Sequence, residues 1–215
     1  MGIHMSKEHS PKEQAIYQAV IELFEEGTDL NNLTVAEITK KAGIGKGTAY
    51  EYFSDKEEMI AKALFYNVEA FCKQLYKRMG KEKNLYDRMN LLLLTMEQEV
   101  SKANCILRLV HIMTENSMIS RRARVLAQNE MSGEMFVEDM IRMVLEDALQ
   151  EKAVPIPSRD KMDYLAMSVF SRIFCYGMLL KGDRYSREEE RILIREKICQ
   201  GICREVEEGV QGHEQ

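Results

Sequence analysis

Apolar residues recur along most of this chain at the i, i+3, i+4, i+7 spacing of one helix face, and no β-type alternating run stands out. Ala15, Ile16, Ala19, Val20, Leu23 and Phe24 form the first stripe. Ser10-Pro11-Lys12-Glu13 precedes it as a capping box with proline at the first helical position, and Gly27 ends it. After a polar loop, Asp29 to Asn32, the Thr34/Glu37 box and the Leu33/Ile38 staple start a second helix at Val35. Lys40 and Lys41 in its last turn and Gly43 just beyond close it. Ile44 plugs the turn, Gly45 is an acceptable N-cap, and a third short helix is expected over Lys46 to Phe53. Ser54 and Glu57 then read as the box that opens a long helix, with apolar positions at Ile60, Ala63, Leu64, Phe71 and Leu75 before Gly80.

Further along, the pattern predicts helices over about Asn84 to Lys102, with Leu91 to Leu94 apolar on all sides, and over Cys105 to Ser117. A helical stretch from Ser120 to Leu149 is interrupted near Ser132-Gly133, and Val154-Pro155-Ile156-Pro157 is a stop before a Ser158 cap. Two helices, about Arg159 to Lys181 and Ser186 to Glu208, are joined by a short turn and so should be antiparallel neighbours. The fold class is therefore all-α. Its expected organisation is a three-helix head over 6–56, whose linking helix runs on to about 80, and a helical body over 57–210.

Composition changes this picture little. The 215 residues are 45% apolar with only three prolines and no tryptophan, which suits long helices in one or two packed domains. A formal charge of −5 argues against indiscriminate coating of nucleic acid, yet Ile38 to Tyr50 holds Lys40, Lys41 and Lys46 and no acid, a basic edge on an acidic molecule. Cys72, Cys105, Cys175, Cys199 and Cys203 lack metal-site pairing and read as reduced core thiols; Cys199 and Cys203, one turn apart, are the alternative redox pair. No apolar run is long enough for a membrane span and no signal sequence precedes Ser6, so a cytoplasmic location with no membrane partner is expected. Met1 to His4 read as an expression remnant ahead of a natural start at Met5.

Two helices joined by a tight glycine-bearing turn, from Thr34 to Lys56, make a helix-turn-helix. Lys56 sits in an acidic first turn, where a cation is unfavourable unless an anion docks; phosphate is the commonest such anion, and a solvated lysine is the alternative. Gly43 to Thr48 has neither the Lys-Ser/Thr adjacency of a phosphate-binding loop nor the glycine spacing of a dinucleotide fingerprint.

These residues resemble the TetR family of bacterial transcriptional regulators, whose head carries a pattern like T-V-x-x-I-x-x-x-A-G-V-S-x-G-T-x-Y-x-Y/H-F-x-x-K-E-x-L. The chain supplies Thr34, Val35, Ile38, Ala42, Gly43, Gly47, Thr48, Tyr50, Tyr52, Phe53, Lys56 and Glu57. It departs at Gly45, Ala49 and Met59, and the motif covers about the first quarter of the chain. The resemblance implies a homodimeric regulator of double-stranded operator DNA, contacted through Thr34, Lys46, Gly47, Thr48, Tyr50, Tyr52 and Lys56. It also implies a body that binds an unidentified small molecule, apolar or amphipathic, which releases a repressor from a palindromic operator. The alternatives are an activator or architectural regulator without such an inducer, or a helical enzyme or interaction scaffold.

The resemblance further implies a four-helix bundle between subunits built from the last two helices. Their apolar surplus points the same way, with Met162, Val169, Phe170, Ile173, Gly177, Ile198, Ile202 and Val206 as the expected pairing residues. For the ligand, Arg108 and His111 interrupt an apolar segment as candidate polar anchors, and Met96, Met113, Met167 and Phe170 are candidates for an adaptable apolar lining. His111 has no accompanying cluster of metal-ligating residues, so no metal is expected; no cofactor is expected, and no residues argue for catalysis.

Overall fold

The computed structural model describes residues 9–100, 117–129, 136–181 and 187–211. The expected helix from Cys105 to Ser117 falls almost entirely outside these residues, as do Arg108, His111 and Met113. Nine helices are present among the described residues: α1 Pro11–Glu25, α2 Val35–Ala42, α3 Lys46–Tyr50, α4 Lys56–Met79, α5 Leu85–Val100, α6 Met118–Asn129, α7 Val137–Glu151, α8 Arg159–Lys181 and α9 Glu188–Gln211. No strand occurs among them, as the all-α reading requires.

The chain forms two compact units. One holds α1–α3, α4 as far as Ala70, and α6; the other holds α4 from Phe71, α5 and α7–α9. In the first, α1 packs on α2 and α3, and Ile16, Val20, Phe24, Ile38, Ala49, Phe53 and Ile60 close over one core. Burying a side chain such as Phe53 contributes about 1.5–3 kcal/mol. Tyr17 was not among the expected core positions, yet it is almost wholly buried, with its ring 5.8 Å from Phe53 and 5.1 Å from Tyr66 between centroids.

The caps explain where the head helices begin. Ser10 and Glu13 exchange the two bonds of a capping box, and so do Thr34 and Glu37. Gly43 takes φ +69 just past α2, a conformation L side chains rarely adopt. Two boundaries differ from the sequence reading. Helix α3 ends at Tyr50, short of Phe53, and α4 is capped one residue later than the Ser54/Glu57 pair suggests. The Asp55 carboxylate accepts from the Glu58 N–H at 2.7 Å, and the Glu58 carboxylate accepts from the Ser54 N–H at 2.8 Å.

In the second unit α5 is central, packing on α7, α8 and α9, while α7 also lies along α8. Of the four-leucine run only Leu92 and Leu93 are buried, while Leu91 and Leu94 are half-exposed. Polar ties cross this core: the Tyr76 hydroxyl donates to Asp147 at 2.6 Å, and the Tyr176 hydroxyl donates to Glu97 at 2.6 Å. Arg195 also meets Glu97, at 2.5 Å.

Candidate nucleic-acid interface

The left-handed Gly43 and the Ile44 N–H, which donates to the Thr39 carbonyl at 3.1 Å, fix the turn that presents α3. Ala49 points inward and is fully buried, which turns the other side of this short helix outward. Lys46 and Gly47 are exposed there, Tyr50 is 53% exposed, and Thr48 and Tyr52 are half-buried. Lys40 and Lys46 have no ion pair among the described residues, whereas Lys41 is tied to Glu26 at 2.6 Å and Glu22 at 3.5 Å. The hydrogen bond to Glu26 raises the Lys41 pKa. The basic edge read from three lysines is therefore carried by two of them.

Thr34 is exposed, but its hydroxyl is engaged: it donates to the Glu37 carboxylate at 2.6 Å and accepts from the Glu37 N–H at 3.2 Å. That bond from Thr34 lowers the Glu37 pKa. Lys56 stands at the start of α4 and donates to the Asn31 carbonyl at 2.9 Å, which ties the loop before α2 to that helix end. Its ammonium also lies 3.8 Å from the Glu57 carboxylate, and the two hydrogens that Asn31 does not take can turn to an anion.

At the start of α4 lies a cluster that the sequence did not disclose. Arg122 of α6 donates to Ser54 Oγ at 2.8 Å and to Glu58 Oε2 at 2.9 Å, and its Nε is 3.7 Å from Asp55. Lys62 reaches the other Glu58 oxygen at 2.7 Å. Burial alone would raise the Glu58 pKa, but the bonds from Lys62, Ser54 and Arg122 outweigh it and hold the carboxyl at about 2. Arg122 is 64 residues from Glu58 in sequence, and no local spacing announces the pair.

Residues 16–63 match the family model described as bacterial regulatory proteins, tetR family. The helix-turn-helix segment is thus of the tetR type. Over 56 residues it is 43% identical to YvdT, an uncharacterized HTH-type transcriptional regulator of Bacillus subtilis, a match spanning 26% of this chain and 28% of that protein. The tetR-type likeness in sequence is thus a likeness of the head. In fold it extends further. The Bacillus subtilis regulator FadR, solved in complex with stearoyl-CoA, superposes with a TM-score of 0.58 at 12% identity over 88% of this chain and 96% of that one. Thermus thermophilus FadR, a tetR-family repressor in complex with lauroyl-CoA, does so with a TM-score of 0.56 at 16% identity over 92% and 94%. Reduced NemR of Escherichia coli gives 0.58 at 16% identity over 89% and 95%.

The residues expected in the body are placed as follows. Met96 is buried on α5, Met167 is 54% exposed on α8, and Phe170 is half-buried with its ring stacked 6.0 Å from Phe174. Met162, Val169, Ile173, Gly177, Ile202 and Val206 are already buried within the single chain. The outward apolar surface of α8 and α9 is carried instead by Tyr164, Met167, Met178, Ile192 and Leu193, with Phe170 and Ile198 half-exposed beside them. A helical period gives the stripes but does not say which one faces the chain's own core. Cys199 is buried and its thiol is pushed up to about 12, first by burial and then by the nearby Cys203; burial also raises Cys203. Both are thus held as thiols rather than the reactive thiolate. Cys72 is likewise buried and Cys175 is exposed. Among the described residues no group of three or more His, Cys, Asp or Glu could hold a metal, and no helix is long and apolar enough to cross a membrane.

Proposed function

We propose that this chain, with its tetR-type head, is a cytoplasmic, homodimeric transcriptional repressor of that family, that it releases a palindromic operator when a small apolar or amphipathic molecule binds its body, and that it has no catalytic activity. The observation that carries the reading is the outer side of α3: Lys46, Gly47, Thr48 and Tyr50 form an acid-free surface on a rigid turn, at the size and polarity suited to a major-groove edge. Lys46 and Thr48 are the base-reading candidates, while Tyr50, Tyr52 and Lys56 hold phosphates. Thr34 and Gly47 are assigned to the same surface.

Pairing of protomers is supported by exposed Tyr164 and Leu193, at 60% and 56%, on neighbouring helices of one unit. Ligand response is supported by the FadR neighbours, whose structures hold acyl-CoA thioesters. For release, the ligand must favour the head arrangement that cannot bind DNA; equal affinity for both arrangements shifts nothing. The test is selection of bound fragments from random duplex DNA with the purified protein. A two-fold symmetric consensus with half-sites about one helical turn apart, or a multiple of it, is expected. Recovery of no enriched sequence overturns the reading.

A further inference from the structure

The second unit carries a cleft that DNA recognition leaves unused. Its volume is about 740 Å³, and it lies between the start of α5, the end of α7 and the second half of α9. Leu85, Leu149, Val154 and Val206 give it apolar walls. That size falls within the range of about 300–1,000 Å³ usual for small-molecule sites.

The α9 wall of this cleft is not the side offered to a second protomer. Gln200, Cys203, Arg204 and Glu207 make an i, i+3, i+4, i+7 stripe along it. Ile194, Lys197, Ile198 and Gly201 make another, six residues earlier, which lines a separate groove of about 420 Å³ with Leu193. At 3.6 residues per turn the two stripes are about a third of a turn apart. A copy seated on the Leu193 side therefore leaves the cleft open.

Charge around the cleft selects its occupant. Lys152 is 3.1 Å from Glu207 across the rim, a pair with no net charge. Elsewhere in the unit Arg172 is taken by Glu205 and Arg195 by Glu97. Asn84 is spent on its own helix start, exchanging bonds of 2.9 Å with Asp87. Arg204 is different: it is exposed at the rim and has neither an ion pair nor a hydrogen bond among the described residues. The Tyr86 hydroxyl, on the α5 wall, has no hydrogen-bond partner among them either. An apolar trough with one uncommitted guanidinium and one uncommitted hydroxyl matches a single acidic group on an apolar body, because a guanidinium binds carboxylate or sulfonate through two parallel hydrogen bonds.

We propose that this cleft binds a small amphipathic organic monoanion, with its apolar body against Leu85, Leu149, Val154 and Val206 and its acidic group on Arg204, assisted by Tyr86. The site does not depend on the head binding DNA.

Two probes that share an anilinonaphthalene ring system test it: 8-anilinonaphthalene-1-sulfonate, which carries the acid, and N-phenyl-1-naphthylamine, which lacks it. Fluorescence titrations of the full chain are compared with those of Arg204→Glu and Gln200→Trp, both substitutions at exposed positions, after circular dichroism confirms their folding. Arg204→Glu should weaken the sulfonate about tenfold and leave the neutral probe within about twofold, since the loss is that of one charge-assisted contact. Gln200→Trp, which fills the mouth, should weaken both. No binding of the sulfonate by the parent protein, equal losses for both probes in Arg204→Glu, or unchanged sulfonate affinity in both variants overturns the proposal. Loss of operator selection with this fluorescence pattern intact counts against the repressor reading alone.

Discussion

Arg122 Nη2 lies 2.9 Å from Glu58 Oε2, and the same nitrogen donates to Ser54 at 2.8 Å, so α6 is bonded to the residues that start α4. The carboxylate it meets is 6% exposed and also holds Lys62. Replacing Arg122 by Ala leaves Glu58 with Lys62 and Ser54 only. A loss of about 1–3 kcal/mol is expected, the cost of depriving a buried acceptor of one charged partner, and urea unfolding measures it.

Acid should reveal the same carboxyl. Its pKa is lowered from 4.5 to about 2 in the folded chain, so the ionised form is the one folding favours. The stability it contributes is fully present above about pH 4.5 and is lost as pH falls through 2. Glu58→Gln should therefore be less stable than the parent at neutral pH, with the gap closing between pH 4.5 and 2. A constant gap across a pH series of unfolding curves contradicts the assignment.

Backbone conformation gives a pair of opposite effects. Gly43 at φ +69 ends α2, and Ala153 at φ 55 follows α7. Gly43→Ala should cost about 1–2 kcal/mol, and Ala153→Gly should recover a comparable strain, reduced by the extra chain entropy of glycine. Thermal unfolding of the two variants should move in opposite directions.

The outer face of α8 and α9 can be separated from the core by charge. Leu193→Glu, at an exposed position, should yield folded monomers in sedimentation at micromolar concentration. Val169→Glu, at a buried one, should unfold the chain, because an unpaired charge there has no partner and no water. A Leu193→Glu protein that sediments like the parent places the protomer contact elsewhere.

Local signals carried much of the fold. The capping boxes at Ser10 and Thr34 and the left-handed Gly43 were readable because each depends on residues within four positions, and the structure has all three. Where a choice depended on distant partners, reading failed. The α4 cap passed from Glu57 to Glu58 because Glu58 also meets Arg122 and Lys62. Met162, Val169 and Ile202 looked like surplus surface because the pattern does not show that α5 and α7 pack on their helices and that these residues are buried. Lys46 and Tyr50 were singled out by the family resemblance, and it is the buried Ala49 of a five-residue helix that sets them on its outer side.

Lys56 and Lys46 should differ in what they do to DNA binding. Lys56, bonded to Asn31 and only at 3.8 Å from Glu57, can turn its other hydrogens to a phosphate, and Lys56→Ala should weaken all duplexes alike. It should also reduce the salt slope by about two contacts per dimer. Unchanged affinity and slope remove Lys56 from the interface.

The central claim is that the α3 surface reads a specific palindrome. Equilibrium binding of the parent protein and of Lys46→Ala to the selected duplex, and to a scrambled duplex of the same composition, over a series of salt concentrations tests it most directly. The parent should bind the palindrome at least about 10³-fold more tightly than the scrambled duplex, and Lys46→Ala should lose that preference while keeping its scrambled-duplex affinity to within the effect of one cation per head. Equal affinity of the parent for both duplexes at every salt concentration contradicts the claim.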